Sequence, residues 1–276
     1  MTEQVATYDP AIALAFFKAA GRPELIAEGA KIFAENEREI PLLRRNKVYY
    51  LLKGEVGLIA GRKNLGRVRP GEIFGEMALI SSAPRSASAI ANTACRVIAL
   101  DDREFQAGLR KTPEFAVMLM SVMIHRLRAR IAELKQESAL SPDAELKESA
   151  AFAPGVLARL VQGLADDPPV FYQEGASIVA EGQKGMRMYA VAEGRVRISI
   201  GGRIVERLGR GGVFGEVALI DPAAQRIADA TAEIDSSLQP ISRAAFLALV
   251  KTSPEFADSM LTSLAARLRT ITAKLG

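Results

Sequence analysis

Polar and apolar positions along the chain fall into two patterns, and each pattern occurs twice. Short runs rich in β-branched and aliphatic residues, at 48–52, 56–60 and 65–68, are separated by Lys53-Gly54 and Gly61-Arg-Lys-Asn64. That is the punctuation of strands joined by tight turns. Runs at 188–191, 196–200 and 204–208 repeat the arrangement, with Gly201-Gly202 as a two-residue hairpin turn. Further strands are predicted over 88–91 and 96–100, and over 227–231 and 238–241. The period then changes. Phe115, Met118, Leu119, Val122, Met123, Leu127, Ile131 and Leu134 recur at spacings of mostly three and four, which predicts a helix over 113–136. Phe256, Met260, Leu264, Leu268, Ile271 and Leu275 predict its counterpart over 254–274. Pro113 and Pro254 suit the first helical position, each with a glutamate behind it in the first turn. Strands first and a long helix last, twice over, give an α+β fold of two tandem antiparallel β-roll (jelly-roll) domains, each followed by a long C-terminal helix.

The duplication is visible residue by residue. Gly71-Glu-Ile-Phe-Gly-Glu-Met-Ala-Leu-Ile80 returns as Gly211-Gly-Val-Phe-Gly-Glu-Val-Ala-Leu-Ile220, seven of ten residues matching at an offset of 140. Downstream, Thr112-Pro-Glu-Phe115 matches Ser253-Pro-Glu-Phe256, and Arg126-Leu-Arg128 matches Arg267-Leu-Arg269, at an offset of 141. A period this long is a duplicated domain, since solenoid repeats run to about 20–50 residues. The expected organisation is a first domain over 1–140, a polar, proline-punctuated linker over 141–149 and a second domain over 150–276.

Composition removes many alternatives. The 276 residues include 49% apolar and 25% charged side chains, enough to bury a core. Cys95 is the one cysteine, His125 the one histidine, and there is no tryptophan. A disulfide framework needs pairs and a Cys/His zinc site needs several ligands, so neither is expected. No motif supports nucleophilic catalysis through His125, and the chain is read as non-enzymatic, with no cofactor and no metal. Neither a signal peptide nor a membrane-spanning run is evident, which points to a cytoplasmic protein. The net charge of +4 is mild. From Arg44 to Arg69, however, eight Lys or Arg stand against Glu55 alone. Such a run is usually a solvated face; docking to an acidic partner or an anionic membrane is the sharper alternative. Met118, Met120 and Met123 read as core or helix-pairing surface, and His125 as a surface or interface residue. The glycines between Gly209 and Gly215 have the wrong spacing for a dinucleotide fingerprint.

The repeated block carries chemistry. A strand ends at Phe74, Gly75 follows, then Glu76 and a short apolar segment long enough for a helical turn, with Arg85 eleven residues after Phe74. A glycine beside a helix start leaves backbone N–H groups free for an anion. An arginine grips a phosphate through paired N–H bonds. A carboxylate at the same place would repel the phosphate and accept hydrogen bonds from hydroxyls instead. Together the three suggest a small phosphorylated sugar.

The stretch Phe74-Gly-Glu-Met-Ala-Leu-Ile-Ser-Ser-Ala-Pro-Arg-Ser-Ala-Ser88 resembles the phosphate-binding cassette of cyclic-nucleotide-binding domains, the family of the catabolite activator and of the regulatory subunits of cyclic-AMP-dependent kinase. The resemblance covers both repeats nearly end to end, including Tyr50-Leu-Leu-Lys-Gly-Glu-Val56 and Tyr189-Ala-Val-Ala-Glu-Gly-Arg-Val196. It implies that Glu76 bonds the ribose 2′-hydroxyl and Arg85 the cyclic phosphate. Ser86 would add a hydroxyl, and backbone N–H groups near Gly75 and Ala78 would complete the cradle. In the second repeat Gly215, Glu216, Ala218 and Arg226 take these places, with the arginine twelve residues after Phe214.

That repeat departs from the pattern in two ways. Ile227 stands where Ser86 does, and Asp229 brings an acid toward the presumed phosphate, so whether it binds is left open. The positions that read the base in the bacterial activators fall at Arg130-Ile131 and Ile271-Thr272, making Arg130 and Thr272 the candidate base contacts. Cyclic AMP is the default ligand and cyclic GMP is compatible with Ser86. The resemblance implies a non-catalytic cyclic-nucleotide sensor that signals through its long helices to an unknown effector protein. The alternative is a degenerate fold acting as a protein-interaction scaffold. No DNA-reading helix-turn-helix and no kinase pseudosubstrate is found, so direct DNA binding is not expected and the effector is expected to be another molecule. The matching apolar stripes suggest that the two long helices pair, either as a monomeric pseudo-dimer or between chains as a homodimer.

Overall fold

Pro10 follows Asp9, whose carboxylate accepts the Ala11 N–H at 2.8 Å, and this pair starts α1 (Pro10–Ala20). The computed structural model describes residues 8–37, 46–136, 146, 148–220 and 225–274. After α1 come β1 (Arg22–Ile26), β2 (Lys31–Phe33), β3 (Lys47–Lys53), β4 (Val56–Ala60), β5 (Lys63–Val68) and β6 (Ile73–Phe74). A short α2 (Glu76–Ser81), β7 (Ser88–Ala91), β8 (Cys95–Asp101), α3 (Asp102–Lys111) and α4 (Pro113–Gln136) follow. Two antiparallel sheets form, in the orders β1-β8-β3-β6 and β2-β7-β4-β5. Apolar side chains from both meet in one core that includes Phe33, Leu51, Val56, Val68, Phe74, Ala91 and Val97. Alternation along the strands therefore places one face of each sheet inward.

Helices close one side of this roll. Asp101 and Glu104 form a reciprocal capping box at the start of α3. Phe16 of α1 stacks on Phe115 of α4 with centroids 3.7 Å apart, and Phe105 of α3 meets both edge-on. These rings are buried, so the first turn of α4 is anchored to α1 and α3 by aromatic contact.

The chain divides into two compact units, Tyr8–Met118 and Leu119 onward, so α4 begins in the first and continues in the second. Most of the expected linker, 141–145 and 147, lies outside the described residues, as do Arg44 and Arg45 of the basic run and Leu275. The end of that linker is ordered as a strand: β9 (Glu148–Ser149). The second unit continues through α5 (Pro154–Gly163), β10 (Val170–Tyr172), β11 (Ser177–Val179), β12 (Arg187–Glu193), β13 (Val196–Ile200), β14 (Arg203–Leu208) and β15 (Val213–Phe214). It ends with α6 (Val217–Ile220), β16 (Asp229–Ala232), β17 (Ser236–Ser242), α7 (Arg243–Thr252) and α8 (Pro254–Lys274).

Its sheets run β10-β17-β12-β15 and β11-β16-β13-β14-β9. The first of these matches the first roll; the second carries one strand more, because β9 pairs parallel to β14. Gly201 and Gly202 turn the β13–β14 hairpin with φ of 56° and 78°, the left-handed geometry a two-residue turn requires. Phe256 at the start of α8 packs on Phe152 and Phe246, as Phe115 does on its neighbours in the first unit. No helix among the described residues is long and apolar enough to cross a membrane.

The long helices α4 and α8 and the central strands lie where the hydrophobic spacing puts them. The helices α1, α3, α5 and α7, and the strands β1, β2, β10 and β11, were not legible in that spacing, being short and only partly buried.

Candidate functional site

Gly75 ends β6 in the left-handed region, at φ 83°, and caps α2 with no side-chain hydrogen bond to the helix start. A β-carbon there would lie 2.9 Å from Arg85 Nη1 and 3.1 Å from the Lys47 carbonyl, so glycine is needed for space as well as conformation. Glu76 and Arg85 are both buried, at 3% and 4% exposure. Arg85 donates from Nη1 to the Gly75 carbonyl and from Nη2 to the Lys47 carbonyl, each at 2.8 Å. Its guanidinium lies over the Phe33 ring, 4.1 Å from the centroid. The main chain of Arg85 is itself tied to Glu37 and Asn36.

Burial pulls the Arg85 pKa below the ordinary arginine value, against the pull of Tyr49, Glu37 and Glu76. Among the described residues, two of the five N–H donors in the guanidinium reach main-chain carbonyls and three remain. A buried, preoriented cation with donors in hand is a site for an anion. Ala78 is buried in α2 and Ser86 is exposed beside Arg85. Ser88 accepts the Glu35 N–H at 2.9 Å and so secures the turn after β2.

The second unit rebuilds this geometry. Gly215 has φ 85°, and Arg226 donates from Nη1 to its carbonyl at 2.9 Å and from Nη2 to the Arg187 carbonyl at 2.6 Å. Burial again lowers the arginine's pKa, with Tyr189 and Glu216 opposing. Gly182 and Gln183 hold the Arg226 main chain as Asn36 and Glu37 hold that of Arg85. The one-residue insertion before Arg226 therefore leaves its anchoring unchanged. Ala218 lies in α6.

The second unit also adds contacts that motif spacing did not reveal. Arg267 of α8 donates to Glu216 Oε1 at 2.8 Å, to Glu206 Oε2 at 3.0 Å, and to the Val213 carbonyl. Burial works against this charge, but Glu206 and Glu216 outweigh it and hold the guanidinium's pKa above the ordinary value. Ser149 of β9 donates to Glu206 at 2.6 Å, linking the strand to the same network. Asp229 accepts the Glu181 N–H at 2.8 Å, the same task that Ser88 performs on Glu35.

These groups line a cavity of about 340 Å³, with Phe214, Gly215, Glu216, Arg226 and Ile227 on the cassette side. Leu127 and Ile131 of α4 line it, as do Thr270 and Ile271 of α8. Arg130 and Thr272 are not among the residues lining this cavity; Arg130 pairs with Glu133 at 2.6 Å. Both long helices thus bear on the second cavity, through apolar residues and Arg267. The one available sign of Arg267 was the Arg-Leu-Arg triplet repeated at Arg126 and Arg267. Among the described residues no group of three or more His, Cys, Asp or Glu could hold a metal ion.

Both repeats match a described family, and similar chains are known. The family model described as the cyclic nucleotide-binding domain matches residues 27–112 and 169–253. A cAMP-dependent protein kinase regulatory subunit of Mycosarcoma maydis is 28% identical over 185 residues, covering 63% of this chain and 30% of that protein. A cyclic AMP receptor protein of Thermus thermophilus is 38% identical over 103 residues, 36% of this chain and 47% of that one. The chain thus spans less than half the length of either relative. Among solved structures, the regulatory domain of Toxoplasma gondii PKA with cAMP aligns over 90% of this chain and 87% of that one, at 23% identity and a TM-score of 0.33.

Proposed function

The chain belongs to the cyclic nucleotide-binding domain family, and on that premise we propose that it is a non-catalytic sensor of a cyclic nucleotide, cyclic AMP by preference. One observation carries the reading. The buried glutamate and the buried, carbonyl-anchored arginine of the cassette recur in both units, with donors on each arginine left for a ligand. Glu76 would accept from the ribose 2′-hydroxyl, while Arg85, with Ser86 and the N–H groups near Gly75 and Ala78, would hold the phosphate. Gly215, Glu216, Ala218 and Arg226 are the corresponding ribose and cassette residues of the second unit.

Output would pass through the long helices to a separate effector protein. Arg267 of α8 binds the same glutamate that the ribose would approach, so a ligand on Glu216 alters what holds α8 in place. A ligand shifts such an equilibrium only by its differential affinity for the two helix positions. A scaffold that binds no nucleotide is the second reading, favoured in the second unit by Arg267 already occupying Glu216.

Isothermal titration of the whole chain with cyclic AMP, cyclic GMP and cyclic di-GMP tests the proposal. Saturable heat with cyclic AMP, weaker with the other two, is the expected outcome. No heat with any of them at millimolar concentration would favour the scaffold.

A further inference from the structure

The two cassettes repeat in sequence but not in charge. Glu206 stands 140 residues after Gly66, Ile227 stands 141 after Ser86, and Asp229 stands 141 after Ser88. All three line the second cavity, together with Glu216, Arg226 and Arg267. Three carboxylates therefore face two guanidiniums before any ligand enters. At the three departing positions the first unit has glycine, serine and serine.

Both added acids make local contacts, Glu206 with Ser149 and Arg267, and Asp229 with the Glu181 N–H. Asp229 anchors the Glu181 N–H, a task that the neutral Ser88 hydroxyl performs at the matching turn. Glu206 takes a share of Arg267 that would otherwise belong to Glu216 alone. The charge of Arg226 already has Glu216 nearby to balance it. Ile227 removes the hydroxyl that Ser86 offers a phosphate in the first unit and puts an apolar wall in its place. No metal-holding cluster is formed by these carboxylates among the described residues. At these three positions the changes work against a phosphate anion and leave the ribose carboxylate in position, although Gln183 stands where the first unit has Glu37.

We propose that the second site takes an uncharged ribonucleoside, with ribose hydroxyls on Glu216 and the base against the apolar walls at Leu127, Ile131 and Ile271, while the first site takes the cyclic nucleotide. This rests on the cassette being a ribose site, as argued above. An anion brought among three carboxylates meets repulsion that a neutral nucleoside does not, and the low polarity of the cavity strengthens it.

Calorimetry on the whole chain with adenosine, guanosine, uridine and cyclic AMP tests it, using Arg85→Ala to silence the first site. At least one nucleoside should bind the second site ten times or more tighter than cyclic AMP. The double variant Glu206→Gln/Asp229→Ser, in which serine keeps the bond to Glu181, should narrow that ratio at least tenfold by tightening cyclic AMP. Should the double variant not fold, Asp229→Ser alone should narrow it threefold or more. Cyclic AMP bound at the second site as tightly as every nucleoside, no nucleoside bound, or a ratio unmoved by these changes would each overturn the proposal.

The wild-type chain supplies a second measurement. One tightly bound cyclic AMP per chain, with one nucleoside bound beside it, supports the assignment; a second cyclic AMP bound as tightly as the nucleoside refutes it. Absence of any cyclic AMP binding to the wild type would instead be a failure of the sensor reading, so the two failures are distinguishable.

Discussion

Replacing Arg85 with alanine removes a guanidinium that is buried, donates to two carbonyls at 2.8 Å and lies 4.1 Å from the centre of the Phe33 ring. Two charge-assisted bonds to a phosphate contribute about 1.5–2 kcal/mol each after desolvation. Their loss, about 3–4 kcal/mol in all, weakens binding roughly 10²- to 10³-fold. Stability also falls. The Gly75 and Lys47 carbonyls lose their donor at about 1 kcal/mol each, and the ring contact adds about 0.5–1 kcal/mol. Part of this is offset because a cation no longer has to be buried.

Titration of cyclic AMP into Arg85→Ala, with the second site silenced by Arg226→Ala, reads the affinity, and circular dichroism confirms the fold. Arg85→Lys separates charge from geometry. It keeps the cation but replaces the planar fork, whose two nitrogens serve the two carbonyls, with a single ammonium nitrogen, so an intermediate loss of roughly tenfold or more is expected. A first-site Kd within threefold of wild type in a folded Arg85→Ala protein would refute the assignment of Arg85 to the phosphate.

Other outcomes follow from the same geometry. Gly75→Ala forces a left-handed alanine, at about 1–2 kcal/mol, and presses its β-carbon toward Arg85 Nη1; cyclic AMP affinity should drop while the second site, measured by nucleoside titration, is unchanged. Phe115→Ala removes the ring stacked on Phe16 and should destabilise the first unit by about 3–5 kcal/mol in urea unfolding. Cys95→Ser should change stability by less than about 1 kcal/mol, because Ser236 at the matching position already makes the equivalent bonds to main-chain carbonyls. Burial pushes Glu233 up, but Arg207 and Arg195 outweigh it and hold its carboxyl below the ordinary glutamate value. Its contribution is therefore fully present above that value and lost as pH falls through the lower folded pKa, so Glu233→Gln should lower stability at neutral pH, change it little in acid, and so flatten the fall in stability on acidification.

Which parts of this protein could be read from residues alone depends on how local the determining forces are. The helices α4 and α8 were legible because a long amphipathic period and a proline–glutamate start are local signals. The strands β4 and β13 were legible because glycine turns bound them. The capping box of α3 spans four residues and was present in the sequence, yet it marks only a start, and the ten-residue helix behind it packs just Phe105 and Leu109 inward. Of the site, the cassette was legible because Gly75, Glu76 and Arg85 lie within one short segment. Phe33 beneath Arg85 and the Lys47 carbonyl beside it were not, since they arrive from other strands.

By itself, then, the order of residues determined the duplication, the two β-rolls with their long helices, and the glutamate and arginine of each cassette. These follow from periodicity and from short-range spacing, which need no knowledge of what packs where. Only the tertiary structure decided that the end of the linker is a fifth strand beside β14, and that Asp229 serves a turn as Ser88 does. It alone brought Glu206 and Arg267 to Glu216, from positions 10 and 51 residues away along the chain. Charge balance in a cavity is a sum over groups that meet only when the sheet and the helix close on each other, and no local pattern records that sum.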